Sequence, residues 1–234
     1  GAGQAGWFGM AISSSGQYQT AMNSTVGVYR SSDFGASWTK LSSSNGAPNS
    51  ESWRGISISS TGQYQTAVNS GSGGIYISSN FGLNWSLVPS GNGAPTNVSW
   101  GRISVSSTGQ YQTAMVGGGL IYFSRNYGFT WSTTASYEID AGDQSGYSVS
   151  LSADGSAVAI GAVNNDNNSG IDSGHVRVYT WSGSAWSQRG IDIDGESTNN
   201  KSGWSASMSA DGTTVAIGAP YNNGVNEIGS GQVR

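Results

Sequence analysis

The chain has 234 residues, no Cys, 37 Gly and, by count, 44 Ser; Leu occurs five times and charged residues make up 9%. Helical bundles and coiled coils are excluded by the Gly and Ser content, disulfide scaffolds by the lack of Cys, and disorder by nine Trp, eleven Tyr and five Phe. The net charge of −4 divides into +3 over residues 1–136 and −7 over residues 137–234; no basic cluster exists to bind nucleic acid, and no run of about 18 apolar residues spans a membrane. What remains is an all-β protein.

The first predicted strand opens at Trp7, and a hairpin turn leads into a second strand at GQYQTA, Gly16–Ala21. The same hexapeptide returns at Gly62–Ala67 and Gly109–Ala114. Strand-opening aromatics stand at Trp7, Trp53, Trp100, Tyr147 and Trp204, spaced by 46, 47, 47 and 57 residues. Each opener heads an alternating strand that ends in a Thr-Gly, Ser-Gly or Asp-Gly turn. A third strand follows (GIYIS, LIYFS, HVRVYTW), then a fourth bearing Trp38, Trp85, Trp131 or Trp186.

Four short antiparallel strands per period describe a β-propeller blade. About five blades are visible. The last is incomplete, because its GSGQVR aligns with DSGHVR of the fourth repeat. A β-solenoid is the rival reading, with a shorter period and no Trp-bearing fourth strand. Trp38, Trp85 and Trp131 recur at 47 and 46 residues and are expected to be buried between blades.

The segment Ser31-Ser32-Asp33-Phe34-Gly35-Ala36-Ser37-Trp38 resembles the Asp-box, or BNR, repeat. So do SSNFGLNW (Ser78, Asn80, Gly82, Trp85) and SRNYGFTW (Ser124, Asn126, Gly128, Trp131), with Asn in place of Asp. The resemblance implies turn-forming roles: Asp or Asn caps backbone N–H groups, Gly takes a positive φ, and Trp packs. The last two repeats, SADGSAVAIGAV and SADGTTVAIGAP, resemble FG-GAP repeats of integrin-type propellers. Residues 1–136 thus read as three Asp-box-type blades and residues 137–234 as two FG-GAP-type blades. Both repeat types resemble those of secreted microbial and algal-virus surface proteins, which implies an extracellular, cell-surface or virion-surface setting.

Candidate sites are few. Asn164, Asp166, Asn168, Gly170 (through its carbonyl) and Asp172 place oxygens at calcium-loop spacing, so Ca2+ is the one cofactor to consider. The loop is similar to the calcium loop of FG-GAP propellers, with Asn at two Asp positions. Asp192 and Asp194 alternate on one strand face with Glu196 beyond, and Glu138, Asp140 and Asp143 occupy the preceding link; a repeated structural role is expected for both clusters. His175, the single His, aligns with Gln232 and is expected on a surface strand position. Trp181 lacks a counterpart in the first three repeats and is a candidate sugar contact. Glycosylation sequons fall at Asn23, Asn84, Asn97, Asn167 and Asn200.

These readings point to a non-enzymatic structural or adhesive module. Its expected partners are other protein chains of a surface assembly or cell-surface glycans. The alternatives are a carbohydrate-binding, lectin-like propeller and a sialidase-like glycosidase; the latter is disfavoured because residues 1–136 hold two acids and no arginine cluster.

Overall fold

The computed structural model describes residues 6–24, 27–47, 52–70, 74–116, 120–133, 142–223 and 230–234. Five antiparallel sheets follow one another along the chain. The first holds β1 (Trp7–Ile12), β2 (Gln19–Asn23), β3 (Gly27–Ser31) and β4 (Thr39–Lys40). The second holds β5 (Ser52–Ile58), β6 (Gln65–Ser70), β7 (Ile75–Ser78) and β8 (Ser86–Leu87). The third holds β9 (Trp100–Val105), β10 (Gln112–Val116), β11 (Ile121–Ser124) and β12 (Ser132–Thr133). In the fourth, β13 (Ser145–Leu151), β14 (Ala157–Ala162), β15 (His175–Trp181) and β16 (Trp186–Gln188) are joined by β17 (Ile193–Asp194), which pairs with β15. The fifth has β18 (Ser205–Met208), β19 (Val215–Ala219) and β20 (Gln232–Val233). Among the described residues the helical elements are two 3-10 turns, Ser43–Asn45 and Ser90–Asn92. Among these residues no helix is long and apolar enough to cross a membrane.

The chain divides into two compact units, residues 1–114 with 122–132 and residues 115–121 with 133–234. In the first unit the GQYQTA repeat has a specific job. Gln65 and Gln112 each donate from Nε2 to the carbonyl of their own turn glycine, at 3.1 and 3.0 Å. Each amide oxygen then accepts the hydroxyl of the preceding blade's threonine: Thr20 to Gln65 at 2.7 Å and Thr66 to Gln112 at 2.8 Å. All four residues are buried, so each bond satisfies a polar pair that water cannot reach. Thr113 ends this ladder with its hydroxyl unpartnered among the described residues.

The 3-10 turns form a second tie. Trp85 donates its backbone N–H to Asn45 O at 2.7 Å, and Trp131 donates to Asn92 O at 2.8 Å. Gly46 and Gly93 follow these turns at φ +72° and +81°, and a Cβ at either would lie 1.9 Å from the carbonyl oxygen of that tryptophan. Only glycine meets both demands. The closing turns of the first and second blades are therefore moulded onto the tryptophan, Trp85 or Trp131, that precedes the fourth strand of the next.

In the second unit, β14 (AVAIGA) is buried throughout. Ala159, Val176 and Ile217 centre a core that Val178, Ile193, Ala206, Met208 and Val215 surround. Gly161 and Gly203 touch backbone to backbone, which a side chain at either position would prevent. Sheets four and five are also tied by Ala153 N to Ala210 O at 2.9 Å and Met208 N to Ser150 Oγ at 3.0 Å.

Candidate functional site

The three S-x-[DN]-x-G turns follow β3, β7 and β11, and their polar residues are engaged locally. Asp33 Oδ1 accepts Ser31 Oγ at 2.8 Å and Ser37 N at 2.9 Å. Asn80 and Asn126 accept from Asn84 N and Thr130 N, both at 2.9 Å. Ser31, Ser78 and Ser124 accept the N–H of Gly35, Gly82 and Gly128, whose φ values are +85°, +76° and +83°. The residue before each glycine (Phe34, Phe81, Tyr127) also has positive φ. Hydroxyl and amide donors from Ser37 and Ser31 hold the Asp33 carboxyl down at about 2.

The tryptophans of these motifs part company. Trp85 and Trp131 are buried, and their indole N–H groups donate to Gly82 O at 3.1 Å and Gly128 O at 2.8 Å. Trp38, expected to be buried, is 39% exposed. The reason is packing: no described residue plays for Trp38 the part that Asn45 and Gly46 play for Trp85. The opener follows suit. Trp7 is 59% exposed, whereas Trp53 and Trp100 are each 1% exposed. All three make the same T-shaped pair with a third-strand tyrosine, Tyr29, Tyr76 or Tyr122.

The first blade therefore presents an apolar face. Trp7, Phe8, Met10, Ala21, Tyr29 and Trp38 line an open concavity of about 770 Å3. Arg54 lies over the Phe8 ring at 5.8 Å, and its Nε donates to Ser70 Oγ. Arg102 donates to Arg54 O at 3.2 Å, so these arginines brace strands rather than converge on one point.

In the loop after β14, a lysine supplies the positive charge. Lys201 Nζ lies 2.8 Å from Asn164 Oδ1 and 3.0 Å from Asp172 Oδ2. Asp166 Oδ1 accepts Asp172 N at 2.8 Å. Asn167, rather than Asn168, closes the turn, accepting Ser169 N and pairing with Gly170; Asn168 is exposed. A metal on these ligands would have to displace the Lys201 ammonium. Of the sequon asparagines, Asn84 and Asn97 are exposed, whereas Asn23 and Asn200 are fully buried and closed to a glycan. Asn167 is half-buried and its amide donates to Gly174 O.

His175 also departs from expectation. It is 3% exposed, because the returning strand β17 covers the start of β15 and sets Asp194 opposite it. Asp192 Oδ2 lies 3.7 Å from His175 Nδ1. Asp192 is held by a two-pronged Arg177 fork at 2.9 and 2.8 Å and by Gln188 at 2.7 Å. The Arg177 fork lowers the Asp192 carboxyl below its ordinary range, and burial pushes the His175 imidazole below its own, against the pull of Asp192, Asp194 and Asp143. Asp143 accepts the Asn165 amide at 2.6 Å; its sequence neighbours Glu138 and Asp140 lie outside the described residues. Glu196 meets Arg234 at 3.5 Å. Trp181 packs edge-on against Trp186 at 5.6 Å.

No family model matches the chain, and no curated protein does. Solved structures do. A YCF48 structure described as bound to D1 peptide matches with TM-score 0.58 and 14% identity over 93% of this chain and 61% of that one. A GH74 enzyme of Niastella koreensis matches with TM-score 0.62 and 16% identity over 92% and 34%. Kuenenia stuttgartiensis hydrazine synthase matches with TM-score 0.65 and 14% identity over 93% and 57%. The chain thus spans between about a third and three fifths of the length of these structures. At such identities the likeness is one of architecture: the chain has an all-β propeller fold built of consecutive antiparallel blades.

Proposed function

We propose that the chain is a non-enzymatic propeller module of an extracellular, cell-surface or particle-surface assembly, and that it engages an apolar segment of another protein through the open face of β1–β4. The observation that carries this is the exposure of Trp7, Met10 and Trp38 at 59%, 72% and 39%, on a face whose aromatic counterparts in the next two blades are buried. Contiguous exposed apolar surface of this kind marks interaction sites, and exposed tryptophans are strong anchors. The lining favours protein over sugar, since Phe8, Met10 and Ala21 stand where a lectin would place amides and hydroxyls. The reading as a non-enzyme draws support from the acids themselves. Asp33, Asp154 and Asp211 accept turn hydrogen bonds, and Asp172 and Asp192 face cationic side chains. That a similarly folded protein is described as bound to a peptide fits a protein partner.

The test is selection of peptides from a displayed library against the parent, with a glycan array and fluorogenic glycosides run alongside. Selected peptides should lose binding to a Met10→Ser/Trp38→Ser variant. Glycan binding or glycoside turnover that survives in that variant would overturn the reading.

A further inference from the structure

We propose that His175, Asp192 and Asp194 form a binding site for one divalent transition-metal ion of the zinc, cobalt or nickel class. Three observations converge. The His175 imidazole is 97% buried by the measure of its 3% exposure, yet its Nδ1 has no hydrogen-bond partner among the described residues. A buried polar nitrogen left this way is destabilising, and an absent ion is one of the recognised explanations. Carboxylates stand around the ring: one ligand atom from each of His175, Asp192 and Asp194 lies within 4.8 Å of the others, and Asp192 Oδ2 is 3.7 Å from His175 Nδ1. This is too long for a hydrogen bond. Donors sharing an ion at roughly 2.0–2.2 Å each stand about 3–4 Å apart, so small side-chain adjustments close the site.

The surroundings are arranged as a support for such a site. Arg177 and Gln188 occupy both lone pairs of Asp192 Oδ1, and Arg177 takes one on Oδ2. One lone pair of Oδ2 remains, on the oxygen nearest the imidazole. Ligating carboxylates are ordinarily held by such outer partners, which fix their orientation. The charge also leaves room for a cation: Asp192, Asp194 and Asp143 act on His175 against Arg177, and Arg234, which reaches the Asp194 carbonyl, is itself paired with Glu196. Arg177 lowers the affinity but leaves a net negative surrounding. Imidazole with carboxylate oxygens suits zinc, cobalt and nickel better than calcium, which takes oxygen ligands. Water completes the coordination. The ion would pin β17 onto β15, joining the inter-blade link to the third strand of blade four.

The sequence makes the test unusually clean: the chain has one His and no Cys. An imidazole-bound metal can sit nowhere else. Full-length chain stripped with chelator and labelled with 15N-His is titrated with Co2+, then Zn2+, by NMR and calorimetry. About one equivalent should bind, the single imidazole spectrum should shift with Zn2+ and broaden with Co2+, and Asp194→Asn should weaken binding about tenfold or more. His175→Gln should abolish it while keeping the near-ultraviolet circular dichroism of the parent, because Gln232 occupies the matching position on β20. An imidazole spectrum unchanged at millimolar Co2+, or equal affinity in Asp194→Asn and parent, would overturn the site.

Discussion

The first blade and the two after it carry the same hexapeptide, the same turn motif and the same Trp–Tyr pair, yet Trp38 is 39% exposed where Trp85 and Trp131 are 4% and 5% exposed. The difference lies outside the motif. Trp85 and Trp131 are buried by a neighbour's 3-10 turn, through Asn45–Gly46 and Asn92–Gly93. In a repeat protein the stability of a residue belongs largely to the interface between repeats. The same chemistry that makes a core in blades two and three is left open to solvent in blade one.

The largest test of this contrast is tryptophan truncation. Trp85→Ala and Trp131→Ala should each cost about 3–5 kcal/mol in urea unfolding. Trp38→Ala should cost clearly less, about 1–2 kcal/mol, because water already reaches its ring. Equal costs at all three positions would erase the distinction between covered and open blades.

The threonine ladder offers a smaller effect. Thr66→Val leaves the buried Gln112 oxygen without its donor and should cost about 1–3 kcal/mol. Thr113→Val removes a hydroxyl that has no partner among the described residues and should be neutral or slightly stabilising. A penalty at Thr113 as large as at Thr66 would show that the ladder continues.

A contrast in the other unit comes next. Lys201→Ala removes the ammonium between Asn164 and Asp172 and should cost about 1 kcal/mol. With Lys201 gone, millimolar calcium should restore part of the loss by taking its place on Asn164 and Asp172, whereas the parent's melting temperature should be the same in calcium and in chelator. A calcium-dependent melt of the parent would show that the ion displaces the lysine.

The smallest effect is one of pH. The folded-state carboxyl of Asp33 titrates near 2, below its ordinary value of 3.8. Its contribution is therefore complete above about pH 4 and disappears as pH falls through 2. Asn80 and Asn126 hold the matching turns without a titrating group. Amide exchange at Ser37 should quicken between pH 4 and 2 relative to its pH-corrected intrinsic rate, while Asn84 and Thr130 should not change on that scale. An Asp33→Asn variant should remove the difference.

Much of the fold was legible because its signals are local and periodic. The openers Trp53 and Trp100 recur one period apart, and the Gly turns and Ser-Asp contacts each form within a few residues of sequence. Three features were not legible. The exposure of Trp38 depends on what stands beside its blade, which no motif within the blade records. The burial of His175 comes from β17, a short strand that returns about 18 residues later with little hydrophobic pattern of its own. Lys201 meets Asn164 across 37 residues of sequence, a partner that no pattern within the loop records. The alternation of Asp192 and Asp194 was visible, but not that it faces a buried imidazole.

Hydroxyl-radical footprinting of the free chain, read by mass spectrometry at each tryptophan and at Met10, tests the open face most directly. Trp7, Met10 and Trp38 should be oxidised many times faster than Trp53, Trp85, Trp100 and Trp131, and a peptide selected for binding should protect the first group alone. Oxidation of Trp38 and Met10 as slow as that of Trp85 in the free chain would contradict the exposed face and the interaction assigned to it.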